Sequence, residues 1–466
     1  MGLLLKNGTI VTDTDTFDKD IFVEDGLISQ IGKDLDIDEN INTVVDLKGK
    51  YIMPGGVDVH THFNLDVGIA IAKDDFYTGT IAAACGGTTT IIDHMGFGPK
   101  NCNLHHQLNK YKADAETDAV IDYGFHGVIQ HINDEILDEM RSMVDDGVTS
   151  FKGYMTYDYR IQDEDMKVIM KKLSSLGAMT TVHAEAHDEI QRLKEKYLAE
   201  GKIDPIYHAK SRPIKSEVEA IERMIKISEE ADDAPLYVVH LSSGDGLDVI
   251  KAARDKGRNI YAETCPQYLF LDEDRYLEDK DRGLKYIMSP PLREKSNNER
   301  LWQGIAEGSI QTVATDHCPF DFELKKELGS KDFTKCPNGA PGVETRVALI
   351  FSEGVSKNRI SINKFVDVVS TTPAKLFGLY PKKGSITLGS DGDFMIIDPE
   401  KKATIKHKNL HENVDYTPYE GIDLVGFPIM TISRGEIIVR EGKFIGKKGR
   451  GRFIKRKTTS SVYLGG

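Results

Sequence analysis

Cysteine is scarce in this chain. There are five in 466 residues (Cys85, Cys102, Cys265, Cys318 and Cys336), an odd number, with no Cys-x-x-Cys pair. That pattern excludes a disulfide framework and a cysteine-built zinc site, and it suits a reducing cytoplasm. Positive charge is also in deficit: the net charge is −14, which argues against a nucleic-acid or anionic-membrane partner. The one basic run, GKKGRGRFIKRK at 446–457, reads as a solvated or subunit-contacting tail. No apolar run approaches membrane-spanning length, and the opening MGLLLKNGTIV meets a lysine and a turn too early for a signal peptide. Internal repeats and low-complexity linkers are absent as well.

What is there is a soluble-type composition, 39% hydrophobic and 29% charged, in a chain long enough for one large barrel and a smaller unit. Residues 1–53 read as short strands broken by turns, such as DIFVEDGLISQIG with its Asp-Gly turn. Residues 381–466 read the same way, through SITLGSDGDFMIID and IMTISRGEIIVREGKFI, and end in the basic tail. The two ends together predict one small β-sandwich. Between them, over 54–380, short apolar runs alternate with amphipathic stretches. The runs are VDVHTH, TTTIIDH, DYGFHGVI, TSFKGYM, MTTVHAE, PLYVVHL, NIYAETCP and QTVATDH. Strand alternating with helix eight times predicts an α/β fold of the TIM-like (β/α)8 class.

Active sites of such barrels lie at the C-terminal strand ends. Here those ends carry His60, His62, Lys152, His183, His240 and Asp316. Residues i and i+2 of a strand share a face, so His60 and His62 both aim into the mouth. A satisfied core histidine explains one such residue; it does not explain four, with an aspartate, at equivalent positions. Neutral imidazoles and a carboxylate suit zinc or a similar divalent ion. For Lys152 the spacing leaves two readings open: an ordinary surface lysine, or an amine that takes up CO2 and bridges two cations as a carbamate. Tyr157 is either a packing aromatic or a phenol donor to an oxyanion. Ser289 and Asn338 sit in Pro/Gly-rich loops, the kind that place main-chain groups near a ligand. Asp93 and His94 read as structural, His317 as pointing away from Asp316, and Glu185 as a partner of His183.

Taken together, GGVDVHTHF, GGTTTIIDH, TSFKGYMTY, VHAE, VVHLSSGDG, YIMSPPLRE, ATDHCPF and PNGAPGVET resemble the cyclic amidohydrolases, and more narrowly the hydantoinase/dihydropyrimidinase family. DVGIA, GTIAAACGGTTTIIDHMGFGP, ETCPQYL and the GKKGRGRFIKRK tail strengthen the likeness to members that act on D-aryl hydantoins. The resemblance implies a cyclic amidohydrolase that opens 5-substituted hydantoins to N-carbamoyl amino acids. It implies two divalent metal ions, usually zinc, on His60, His62, Lys152 as N6-carboxylysine, His183, His240 and Asp316. It implies Asp316 and Tyr157 as catalytic groups, and Tyr157, Ser289 and Asn338 as substrate-binding. It also implies a homotetramer. One departure stands out: many relatives carry HAEN where this chain has HAEA, so Ala186 predicts altered packing or an altered loop, not a lost metal.

Other readings stay in view. A dihydropyrimidinase acting on dihydrouracil or dihydrothymine would share the whole site. Dihydroorotases usually place an arginine two residues after the second histidine, where this chain has Asn64; allantoinases share the metal site. Amine deaminases of the superfamily typically lack the bridging lysine, and non-catalytic relatives lose ligands that are all present here.

Overall fold

Each of the eight apolar runs forms a strand in the structure, a computed structural model that describes residues 2–38 and 40–458. In chain order they are β1 (Gly56–Thr61), β2 (Thr88–His94), β3 (Asp122–Val128), β4 (Ser150–Tyr154), β5 (Met179–His183), β6 (Leu236–Val238), β7 (Ile260–Thr264) and β8 (Thr312–Val313). Every strand pairs in parallel with its sequence neighbour. A bridge between Thr61 and His317 brings the first strand to the segment after the last, so the ring is nearly closed. This is the TIM-like barrel expected. Burial on both faces explains why the strands read as continuous apolar runs rather than alternating ones.

Two strands are less than half as long as their runs. PLYVVHL yields only Leu236–Val238 and QTVATDH only Thr312–Val313. The cause lies in the residues that follow: His240 and Asp316 take φ of 40° and 54°, which breaks the pleat. These two candidate ligands therefore stand just past the strands, not within them.

The amphipathic stretches form the outer helices. Asp163–Ser175 is representative: Met166, Ile169, Met170 and Leu173 face the barrel, and three acids lie in its first turn. That spacing is one helical stripe, and the acids complement the helix dipole.

Both chain ends build mixed sheets. Leu27–Gly32, Asp20–Glu24, Leu3–Lys6 and Thr43–Asp46 form one, in that spatial order. In the other, Tyr51–Pro54 pairs antiparallel with Phe394–Thr404, which pairs onward with Asp423–Ser433. Leu5, Ile21 and Val23 of the first sheet share one apolar core with Ile52, Phe394, Ile396 and Ile432 of the second.

The basic run 446–457 is not a free tail. Its main chain follows the N-terminal end of β3, where Tyr123 N–H donates to Arg452 O at 3.0 Å and Ile454 N–H to Tyr123 O at 2.8 Å. Arg456 is buried and donates to Phe125 O at 2.6 Å. The charges had suggested solvent or a neighbouring subunit; alternating Arg452, Phe453, Ile454 and Arg456 instead give the segment a face that seats on its own barrel. Residues 459–466, assigned to the C-terminal unit, lie outside the described residues.

Candidate active site

Side chains from five strand ends meet in the barrel mouth. The nearest set is His60, His62 and Asp316, whose ligand atoms all lie within 4.8 Å of one another. Asp316 Oδ1 is 3.1 Å from His60 Nε2 and 3.2 Å from His62 Nε2. The other ring nitrogen of His60, Nδ1, is 2.6 Å from Glu263 Oε1 at the end of β7. A carboxylate there fixes the tautomer: Nδ1 carries the hydrogen, and Nε2 turns its lone pair to the mouth. Burial opposes charge on His60, yet Glu263 and Asp316 together raise its pKa to about 9. The field that would hold a proton there would equally hold a metal cation. Burial lowers His62 to about 4, leaving a neutral ring suited to ligation.

His183 and His240 form the neighbouring half. Their ring centroids are 4.6 Å apart, and His240 lies 5.4 Å from His60. Burial depresses the pKa of both imidazoles, so they too are neutral. His183 Nε2 is 2.7 Å from Glu185 Oε2, which leaves Nδ1 as its free lone pair. Glu185 also pairs with the fully buried Arg212. The left-handed backbone at His240, Asp316 and Tyr157, φ 40°, 54° and 73°, is unusual for residues with side chains, and all three positions fall in this one mouth.

Lys152 rises from β4 on the same side and is 2% exposed. Among the described residues its amine has no ion-pair or hydrogen-bond partner, and it lies over the face of Tyr154, 5.5 Å from the ring centre. Burial lowers its pKa to about 8. A lysine so placed has a ready supply of neutral amine, the form that reacts with CO2. The donor set of four imidazoles, one carboxylate and one modifiable amine thus fits a divalent metal centre.

Tyr157 lies over His183, with ring centroids 5.2 Å apart, beside Ser289 and under the Arg212 guanidinium, whose carbon is 5.6 Å from the ring centre. Ser289 and Asn338 occupy two loops joined by a hydrogen bond from Gly339 N–H to Ile287 O, 3.0 Å. Phe97, Tyr154 and Tyr159 form a half-buried aromatic wall beside Tyr157, with Phe97–Tyr154 at 5.1 Å and Phe97–Tyr159 at 4.5 Å. Phe63, an aromatic on the 63–72 loop, does not join it: the ring is fully buried against Phe76 and His317. His317 does point away, toward Asp74 Oδ2 at 3.0 Å. Asp93 accepts hydrogen bonds from Thr61 Oγ1 and Phe63 N–H and braces the loop after β1. His94 is less remote than a structural reading implies, since its ring is 4.3 Å from that of His60.

Two supporting residues escaped notice in the sequence. Glu263, in NIYAETCP, shares the inward face of β7 with Tyr261, and the alternation that placed His60 and His62 could have found it. Arg212 follows a short helix far from any strand end, and no spacing marks it.

Known proteins match both the sequence and the fold. Residues 51–438 fit the profile described as "Amidohydrolase family". The chain is 51% identical to D-phenylhydantoinase of Escherichia coli O1:K1 over 457 residues, 98% of each chain. The dihydropyrimidinase of Brevibacillus agri NCHU1002 superposes with a TM-score of 0.97 at 45% identity, covering 99% of this chain and 100% of that one. The L-hydantoinase (dihydropyrimidinase) of Arthrobacter aurescens superposes with a TM-score of 0.89 at 32% identity, covering 97% and 99%.

Proposed function

Since this chain belongs to the amidohydrolase family, we propose that it is a cyclic amidohydrolase that opens 5-substituted hydantoins, D-aryl ones preferred, to N-carbamoyl amino acids. One observation carries the reading: His60, His62 and Asp316 close on one another in the barrel mouth, with His183, His240 and the buried Lys152 beside them. In our reading His60, His62, His183, His240, Asp316 and Lys152, carried as N6-carboxylysine, would hold two divalent ions, zinc by preference. Such ions supply a water activated near neutral pH and a Lewis acid for the scissile carbonyl.

The chain's own groups do the rest. Asp316 takes the proton from the attacking water and delivers it to the ring nitrogen as the C–N bond breaks. The Tyr157 hydroxyl donates to the oxyanion that forms on the carbonyl oxygen. Glu263 and Glu185 hold the tautomers of His60 and His183. Ser289 and Asn338 fix the ring through main-chain hydrogen bonds, and the wall of Phe97, Tyr154 and Tyr159 receives the aryl substituent. That wall favours a substituted hydantoin over the smaller dihydropyrimidines, and the 51% identity to a D-phenylhydantoinase supports the D preference.

The catalytic unit would run from 54 to 380 and ride on a sandwich made by 1–53 and 381–466. The resemblance supports a homotetramer, and five free cysteines suit the cytoplasm. No helix among the described residues is long and apolar enough to cross a membrane.

The test is turnover of D-5-phenylhydantoin, L-5-phenylhydantoin and dihydrouracil by zinc-loaded protein, with a chelated control. Turnover of the D-aryl ring that is lost on chelation is the expected result. Preference for dihydrouracil would move the chain to dihydropyrimidinase, and no turnover of any would overturn the assignment.

A further inference from the structure

Among the described residues three lysines are buried, and they are held in three different ways. Lys383 meets three carboxylates, Asp122, Asp391 and Asp393, at 2.6–2.8 Å. Lys152 faces the candidate metal centre. Lys325, with no exposed surface at all, has neither a carboxylate nor a candidate metal centre beside it among the described residues. Among the described residues its ammonium donates only to main-chain carbonyls: Gly339 O at 2.6 Å, Ile287 O at 2.9 Å, and Leu284 O and Lys285 O at 3.5 Å.

Burying a cation without a counter-ion is costly. Burial accordingly lowers the Lys325 pKa to about 8, with only the thiols of Cys336 and Cys318 acting against it. A neutral apolar side chain would fill the same space without that cost. What the ammonium adds is reach across two separate loops. Ile287 lies two residues before Ser289, and Gly339 follows Asn338 directly.

The second loop is already pressed against the segment that bears Asp316, just past its strand. Gly339 takes φ 143°, and a Cβ there would come within 2.2 Å of Cys318 O. Cys318 N–H donates to Ala340 O at 3.1 Å. The first loop is fastened on its far side, where His208 Nε2 reaches Met288 O at 2.7 Å and Tyr268 Oη donates to Pro290 O at 2.8 Å. Among the described residues, the Gly339–Ile287 bond and a long contact from Cys336 Sγ to Leu284 O at 3.9 Å also cross between the two halves, and Lys325 adds the one charged tie.

We propose that Lys325 is a positioning residue for substrate: from the helix Phe322–Gly329 its ammonium clamps the Ser289 loop to the Asn338 loop and so sets the spacing of the groups that hold the ring. The inference rests on the ring-binding role given to those loops above. Lys325 touches no substrate and no candidate ligand, so its loss acts on binding geometry and leaves the chemistry intact.

The test compares K325M and K325Q with wild type, using D-5-phenylhydantoin and zinc-loaded protein of verified metal content. K325M keeps bulk and loses the donor; K325Q keeps an uncharged N–H2 that can bond two carbonyls. We expect K325M to raise KM by about tenfold with kcat held within about threefold, the signature of lost uniform binding. K325Q should recover part of that loss. Hydrogen exchange at 284–289 and 336–340 should quicken together in K325M. Wild-type KM in both variants, an equal fall in kcat, or loss of metal would overturn the proposal. Should K325M fail to fold, K325Q decides alone by the same split. Wild-type protein that turns over no cyclic ureide would end the functional reading and the KM argument with it; unchanged exchange in a variant of active wild type would end the clamp alone.

Discussion

Nδ1 of His60 and Oε1 of Glu263 stand 2.6 Å apart, and neither side chain is exposed. Glu263 also accepts from Tyr237 Oη at 3.0 Å and from His240 N–H at 3.1 Å, so one carboxylate orients two candidate ligands from below. Glu263→Gln keeps the size and removes the charge. Metal affinity should fall by about 10–100-fold, the usual cost of losing such a partner. Chelator competition measures it, and unchanged affinity would remove Glu263 from this role.

Lys152→Ala removes the amine that the carbamate needs. Metal content and turnover should fall together, and a short carboxylic acid added in excess should restore part of both. Metal analysis with and without the acid checks this. Full activity in the variant would dismiss the carbamate.

Ala186 is the N-cap of the helix His187–Ala199, with extended backbone and no side-chain cap. The departure from HAEN therefore costs this helix its cap, while Ala186 N–H still donates to Ser216 O at 2.9 Å. Ala186→Asn should add about 1 kcal/mol of stability. A thermal melt reads the gain, and metal content should not change. A lower Tm would mean that the buried site has no room for the amide.

Glu139 anchors the start of the helix that follows the 94–103 loop. Its carboxylate accepts from Leu104 N–H at 2.7 Å and His105 N–H at 3.0 Å, and lies 2.6 Å from His105 Nδ1. Burial would raise its pKa, but these donors outweigh burial and hold it below the ordinary glutamate value. A depressed carboxyl stabilises the fold fully above that ordinary value, about 4.3, and the contribution is lost as pH falls through the depressed one. Glu139→Gln should cost about 1–3 kcal/mol at pH 7, and its melts should converge with wild type in acid. A constant gap across pH would contradict this account.

The barrel was legible because parallel strands are buried on both faces and therefore announce themselves as apolar runs. The candidate ligands were legible because strand ends of this fold share one level, which turned six scattered residues into one set. Where the chain leaves regular geometry, the pattern fell silent. The left-handed breaks at His240 and Asp316 carry no glycine to mark them. Arg212 acts through tertiary contact from a short helix, and Lys325 through carbonyls on distant loops; neither belongs to a periodic pattern. The tail misled because its charges dominate the composition, while its seating depends on the residues interleaved with them.

The pairing of Tyr51–Pro54 with Phe394–Thr404 has a consequence for biosynthesis. Lys50 and Asp398 form an ion pair at 2.7 Å across 348 residues of chain. A ribosome emits the first of these strands long before its partner exists, and the whole barrel is translated in between. Ile52 and its neighbours thus wait for that edge to be paired until Phe394–Thr404 emerges, and closing so long a loop slows folding. The sheet that holds Ile52 is therefore completed only after the whole barrel segment has been made, and its apolar edge is exposed to mispairing in the meantime.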